Sequence, residues 1–175
     1  MSKEKVGLVF GCFIPMHKGH LYMIDKALEE NDRIVLGVCG FDDDRGKGFI
    51  PFKTRQELLT SKYRYNDKVT LSIVDDKKIG LEGKFDETAW RIWGTEFFTN
   101  ANVDPDDANI EFTWYTGEQR YIDEIQKVYP KHTFVLLDRG INTISGTAIR
   151  NDLKHNLTQI DPVFLRYIFD VYAFD

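Results

Sequence analysis

Short, nearly continuous apolar runs at 6–10, 33–39, 69–74, 112–116 and 133–137 alternate with stretches whose apolar residues recur at helical spacing. A strand covered on both faces shows no polar alternation, and covering both faces requires helices between successive strands, so this pattern predicts a parallel sheet in an α/β domain. The intervening stretches read as helices over 20–29, 54–63, 90–100 and 119–129, with two closing helices near 147–153 and 162–172. Leu21, Ile24 and Leu28 share one face of the first, and Ile122, Ile125 and Val128 one face of the fourth. Thr54, followed three residues later by Glu57, is the expected cap of the second. The stretches 75–87 and 104–107 read as long surface loops.

Composition narrows what such a sheet can serve. At 175 residues with 42% hydrophobic content the chain can fill the core of one domain, and nothing in it marks a repeat or a linker. A net charge of −5 argues against a surface made for nucleic acid or an anionic membrane, so any anion site must be local. No apolar window reaches bilayer-spanning length. Cys12 and Cys39 lie far apart, each beside a glycine at the end of an apolar run, and their spacing supports neither a disulfide framework nor a zinc site. A reduced, cytoplasmic protein is the expectation.

Directly behind the first run stands GCFIPMHKGH, residues 11–20, where a strand must become a helix. In an open parallel sheet, ligands sit outside the carboxyl ends of the strands, at such junctions. Gly11 is expected to take unusual backbone angles or admit a ligand closely, and Pro15 to hold Ile14 extended. With a helix starting near Lys18, His17 and His20 lie on one side of its first turn, beside its unpaired N–H groups. Imidazoles, a lysine and backbone amides suit a phosphate chain. The histidine spacing is not the i, i+4 pair of a helical zinc site, and no third ligand is evident.

A second stretch, ISGTAIR at 144–150, follows the last predicted strand and opens a helix. Ser145 or Thr147 is placed to cap it, Gly146 to admit a ligand, and Arg150, one turn in, to offer forked donors to phosphate oxygens.

GCFIPMHKGH matches the GxFxPxHxGH signature of the nucleotidylyltransferase superfamily, and ISGTAIR resembles its second signature, ISxTxxR. GFDDDR at 40–45, FKTRQELL at 52–59, AWRIW at 89–93 and WYTGE at 114–118 make the chain most similar to nicotinamide mononucleotide adenylyltransferases of the NadR-type branch. The resemblance implies a Rossmann-like open parallel sheet with helices on both faces in a single domain over 1–175, its core about 6–153 and its closing helix 162–172. Relatives of this branch usually continue into a P-loop kinase domain, and some begin with a helix-turn-helix. No GxxxxGK[ST] occurs here, so neither a kinase nor a DNA-binding domain is expected.

Carried over residue by residue, the resemblance makes His17, His20, Lys18 and Arg150 the catalytic set. It assigns ATP to Gly11, Phe13, His17, His20, Arg139, Ser145, Thr147 and Arg150. Nicotinamide mononucleotide is expected at Phe13, Trp90 and Trp93, with one of the two tryptophans stacking on the ring as in the family. From their place beyond the second strand, Asp42, Asp43 and Arg45 are expected at its ribose or as a solvated charge run, and Arg55, at a helix start, at its phosphate. Arg55 could equally form a helix-surface ion pair with Glu57 or Asp43. Magnesium is expected on the triphosphate rather than in a protein cage, and the small-molecule partners are ATP and nicotinamide mononucleotide, with a homo-oligomer allowed. Two other readings are a sister transferase acting on another phosphorylated acceptor such as phosphopantetheine, or using CTP, and a non-catalytic sensor of NAD or ATP.

Overall fold

The structure is a computed structural model, describing residues 2–42, 49–138 and 144–172. The five expected strands form β1 (Glu4–Gly11), β2 (Arg33–Gly40), β3 (Val69–Asp75), β4 (Ile110–Thr116) and β5 (Thr133–Leu136). They make one sheet in the order β3-β2-β1-β4-β5, every neighbouring pair parallel. The direction of winding reverses between β1 and β4. β1 stays paired with β2 as far as Gly11 but with β4 only to Leu8, so the two central strands part at their carboxyl ends. That parting is the crevice where an open α/β sheet takes its ligands.

Helices α1 (Lys18–Glu30), α2 (Phe52–Tyr63), α3 (Glu87–Asn100), α4 (Gln119–Val128), α5 (Gly146–Asn151) and α6 (Pro162–Val171) cover both faces. Under α1, α2 and α6 the core is largely aliphatic, with Ile24, Leu36, Ile50, Leu59 and Ile168 buried. Under α3 and α4 it is aromatic, built on Trp90, Trp93, Phe97, Phe98, Phe112 and Trp114. No helix among the described residues is long and apolar enough to cross a membrane.

Several boundaries differ from the sequence reading for local reasons. Thr54 is not a cap: α2 begins at Phe52 behind Pro51, and the Asp42 carboxylate accepts the Phe52 N–H at 2.9 Å. α3 starts at Glu87 because Asp86 caps it, accepting from the Ala89 amide at 2.8 Å. The helix expected over 147–153 ends at Asn151 and gives way to a 3-10 turn, Lys154–Gln159, which periodicity did not reveal. Ser145, rather than Thr147, caps α5 by accepting from the Ala148 amide at 3.1 Å.

Candidate active site

A cavity of about 660 Å³ opens at the crevice, lined by the loop after β1, the first turn of α1, the segment between β3 and α3, the start of α4, and α5. Its size suits a mononucleotide-sized ligand or larger.

At one end the two histidines build α1 themselves. His17 is the N-cap and its Nδ1 accepts the Gly19 amide at 3.1 Å, while His20 Nδ1 accepts the His17 amide at 3.2 Å, a reciprocal capping box made of imidazoles. Both acceptor positions being Nδ1, each neutral ring carries its proton on Nε2, which is therefore a donor. The rings stack with centroids 3.8 Å apart. This refines the expectation that the histidines stand beside unpaired amides, because they consume two of them. Gly19 has no side chain for a steric reason: a Cβ there would meet His17 Cε1 at 2.9 Å.

Unusual backbone geometry belongs to Phe13 rather than Gly11. Phe13 has φ 57°, a left-handed conformation that costs a non-glycine residue roughly 1–3 kcal/mol and persists only where its surroundings enforce it. Here the ring is fully buried, packs edge-on to His20 at 4.8 Å, and lies where a Cβ on Gly11 would come within 3.1 Å of it. Gly11 makes room for Phe13, and Phe13 shelves His20.

Arg150 joins the second motif to the first across 136 residues of sequence: Nη1 donates to Ile14 O at 2.7 Å and Nη2 to Thr147 Oγ1 at 3.2 Å. Gly146 permits this, since a Cβ there would stand 2.9 Å from Arg150 Nη1 and 3.3 Å from Ile14 O. Gly11, Phe13, His17, His20, Ser145, Thr147 and Arg150 thus face one cavity. Lys18 is exposed and does not line it.

At the other end Phe10, Trp90, Trp93 and Tyr121 form a ring cluster. Both tryptophans line the cavity and both are largely buried. Trp93 stacks on Phe97 at 5.0 Å and 15°, whereas Trp90 meets its aromatic neighbours only tilted or edge-on. The 75–87 stretch is more than a surface loop, because Asp76, Leu81, Glu82 and Lys84 from it line the cavity.

Two expected ligand contacts fall elsewhere. Arg55 is fully buried beneath the cavity and donates to the carbonyls of Ile50, Cys12, Cys39 and Phe41, at 3.1, 2.7, 3.2 and 2.9 Å. It ties β1, β2 and α2 together, does not line the cavity, and, being fully buried, does not sit on the helix surface. Asp42 caps α2 and likewise does not line the cavity. Asp43, Arg45 and Arg139 lie outside the described residues. Phe10, Tyr121 and the two cysteines also line the cavity; the cysteines are brought together by the parallel β1–β2 register, which linear spacing does not show.

An α/β sheet whose switch point carries two loop-to-helix junctions around one cavity defines a nucleotide-binding domain of the transferase kind. The chain belongs to the cytidylyltransferase-like family, whose model matches residues 8–152, within the nucleotidylyltransferase superfamily. It is 27% identical over 193 residues to the trifunctional NAD biosynthesis/regulator protein NadR of Escherichia coli K12, covering 95% of this chain and 42% of that protein. It is 24% identical over 167 residues to the phosphopantetheine adenylyltransferase of Francisella philomiragia, covering 95% of this chain and 94% of that one. A crystal structure of NadR protein in complex with NR superposes with a TM-score of 0.75 at 26% identity, over 94% of this chain and 45% of that one. The chain therefore spans less than half the length of the NadR proteins it matches.

Proposed function

We propose that this chain is an adenylyltransferase that joins nicotinamide mononucleotide to ATP, giving NAD and pyrophosphate. The observation that carries the reading is the single cavity with donors of His17, His20 and Arg150 at one end and an aromatic cluster at the other. One end suits a triphosphate; the other suits a flat pyridine ring.

The 5′-phosphate of the mononucleotide is anionic at neutral pH, so its oxygen needs no side-chain base to attack the α-phosphorus of ATP. The new P–O bond forms as the bond to the bridging oxygen breaks, and that electron pair leaves with pyrophosphate. What remains for the protein is to hold two anions in line and stabilise charge on the α-phosphate oxygens and the leaving group. The Nε2–H donors of His17 and His20, held by their Nδ1 bonds, and the guanidinium of Arg150 take that role; Ser145 and Thr147 border the triphosphate. Trp90, with no stacked aromatic neighbour among the described residues, is the partner we assign to the pyridine ring. Lys18 acts at most as a distant charge.

Among the described residues no three His, Cys, Asp or Glu side chains converge to hold an ion. Magnesium would arrive with the substrate, held by phosphate oxygens and water, where it would screen the triphosphate charge. A cytoplasmic setting fits substrates of this kind.

The likeness to phosphopantetheine adenylyltransferase over nearly its whole length supports a second reading, in which the acceptor is another phosphorylated molecule. Incubating the chain with ATP, magnesium and either acceptor, and measuring pyrophosphate and dinucleotide, separates the readings. NAD formation is expected; turnover with phosphopantetheine alone would replace our assignment, and binding without turnover would make the chain a nucleotide sensor.

A further inference from the structure

Cys12 and Cys39 are separated by 27 positions in sequence yet meet at the carboxyl ends of β1 and β2. The parallel register runs to Gly11↔Val38, and the residues that follow are these two cysteines. Arg55 Nη1 donates to both of their carbonyls, at 2.7 Å to Cys12 and 3.2 Å to Cys39, which fixes the two backbones against each other. Neighbouring parallel strands lie about 4.8 Å apart. A disulfide needs Cα atoms about 4.4–6.8 Å apart, so this pair meets the backbone requirement. Both residues are thiols rather than halves of a disulfide, and both line the cavity. A hydrogen bond to the Cys12 thiol, then burial, then the charges of Cys12 and of nearby Asp76 push the Cys39 thiol well above its ordinary range, against a smaller opposing effect of Arg55. Cys39 thus holds its proton, and Cys12, half-buried at the cavity wall, is the one an oxidant reaches first.

We propose that Cys12 and Cys39 form a peroxide-sensitive modification site in the cavity wall, closing to a disulfide that weakens ATP binding. Its consequence for ATP rests on the proposed function; the chemistry of the pair does not. In the first step the Cys12 thiolate attacks a peroxide oxygen, the O–O bond breaks, and Cys12 becomes a sulfenic acid as hydrogen peroxide is reduced to water. The Cys39 sulfur then attacks the sulfenic sulfur, the S–O bond breaks, and a second water leaves with the Cys39 proton. Two thiols and one peroxide give one disulfide and two waters.

Closing the bond draws the sulfurs from hydrogen-bonding contact to about 2.05 Å. Cys12 directly precedes Phe13, which is held in a left-handed conformation with its ring against His20. A displacement of Cys12 is therefore passed to the imidazole pair through Phe13. The nucleotide end feels it first.

Reduced protein is treated with stoichiometric hydrogen peroxide under non-reducing conditions and followed by intact mass, thiol titration and calorimetric titration with ATP. A mass loss of about 2 Da, disappearance of both titratable thiols, a Cys12–Cys39 cross-linked peptide and recovery with dithiothreitol are expected. ATP affinity should fall about tenfold in the oxidised form. Cys39→Ser should gain oxygen on Cys12 rather than lose hydrogen, and because the cross-linked peptide is mapped in the unsubstituted chain, a misfolded variant does not blunt the test. Persistence of both thiols, independent oxidation of each, or a disulfide that leaves ATP affinity unchanged overturns the proposal. Absence of ATP binding in the reduced form would instead strike the proposed function, while the mass still decides whether the pair closes.

Discussion

The two ends of the cavity are held by different kinds of force. At the histidine end, groups are placed by directional bonds to backbone atoms: His17 to the Gly19 amide, His20 to the His17 amide, Arg150 to the Ile14 carbonyl. At the tryptophan end, Trp90 and Trp93 are placed by ring contacts with Phe10, Tyr121 and Phe97, which tolerate sliding and tilt. Developing charge on a phosphate is stabilised only by donors at fixed positions, whereas a flat ring gains mainly from being covered. The first end should govern turnover and the second binding.

His20→Ala breaks that division most severely. It removes one proposed donor and also the acceptor of the His17 amide, so both the transition-state contact and the cap that orients His17 are lost. Removal of one preorganised donor commonly lowers kcat by about 10²–10³, and a loss of that size is expected, with the apparent Kd for nicotinamide mononucleotide changing far less. Steady-state kinetics beside direct binding measurements check this. Equal losses in both would mean that His20 holds substrate in its ground state only.

Trp90→Ala tests the opposite end and should reverse the pattern. KM for the mononucleotide is expected to rise about tenfold, in line with an aromatic contact of roughly 0.5–1.5 kcal/mol plus lost apolar cover, while kcat stays within a few-fold. Trp93→Ala should cost more in stability than in KM, because Trp93 fills core against Phe97 and Phe10. If instead Trp93→Ala raises KM and Trp90→Ala does not, the ring assignments exchange places.

This contrast also explains what could be read from sequence. The strands were legible because burial on both faces suppresses alternation, and the histidine end because its placement is local: a strand, a proline, two histidines and a helix start leave little geometric choice. The meeting of Arg150 with Ile14 was expected in outline, as two junctions around one ligand, but the bond itself joins residues 136 positions apart, a pairing no spacing encodes. Arg55 was misplaced for a physical reason. An arginine near a helix start is usually solvated, yet here four strand-end and loop carbonyls need a donor and the guanidinium supplies them all, which a propensity argument cannot see. Asp42 went to a helix cap in the same way, since α2 starts behind a proline without a capping side chain of its own. Cys12 and Cys39 are neighbours only through register.

Even the aromatic face has directional contacts, and the one expected to have the smallest effect of the three involves a titratable ring. Trp114 Nε1 donates to His132 Nδ1 at 3.0 Å, and His132 Nε2 lies 2.9 Å from the Pro105 carbonyl, so Nδ1 is the acceptor and the ring proton sits on Nε2. Stacked against Tyr129 and packed on Phe112, His132 has its pKa lowered from 6.5, first by burial, with the Pro105 carbonyl and then Asp106 opposing. A folded value below the unfolded one means that the unfolded chain binds this proton more readily. The stability His132 contributes is therefore present above about pH 6.5 and is lost as pH falls through its folded value. Urea midpoints at pH 7.5 and 5.5 should drop further for the unsubstituted chain than for His132→Phe, which loses the Trp114 acceptor at both pH values but has no proton to gain. Parallel drops would assign the acid sensitivity to carboxylates elsewhere.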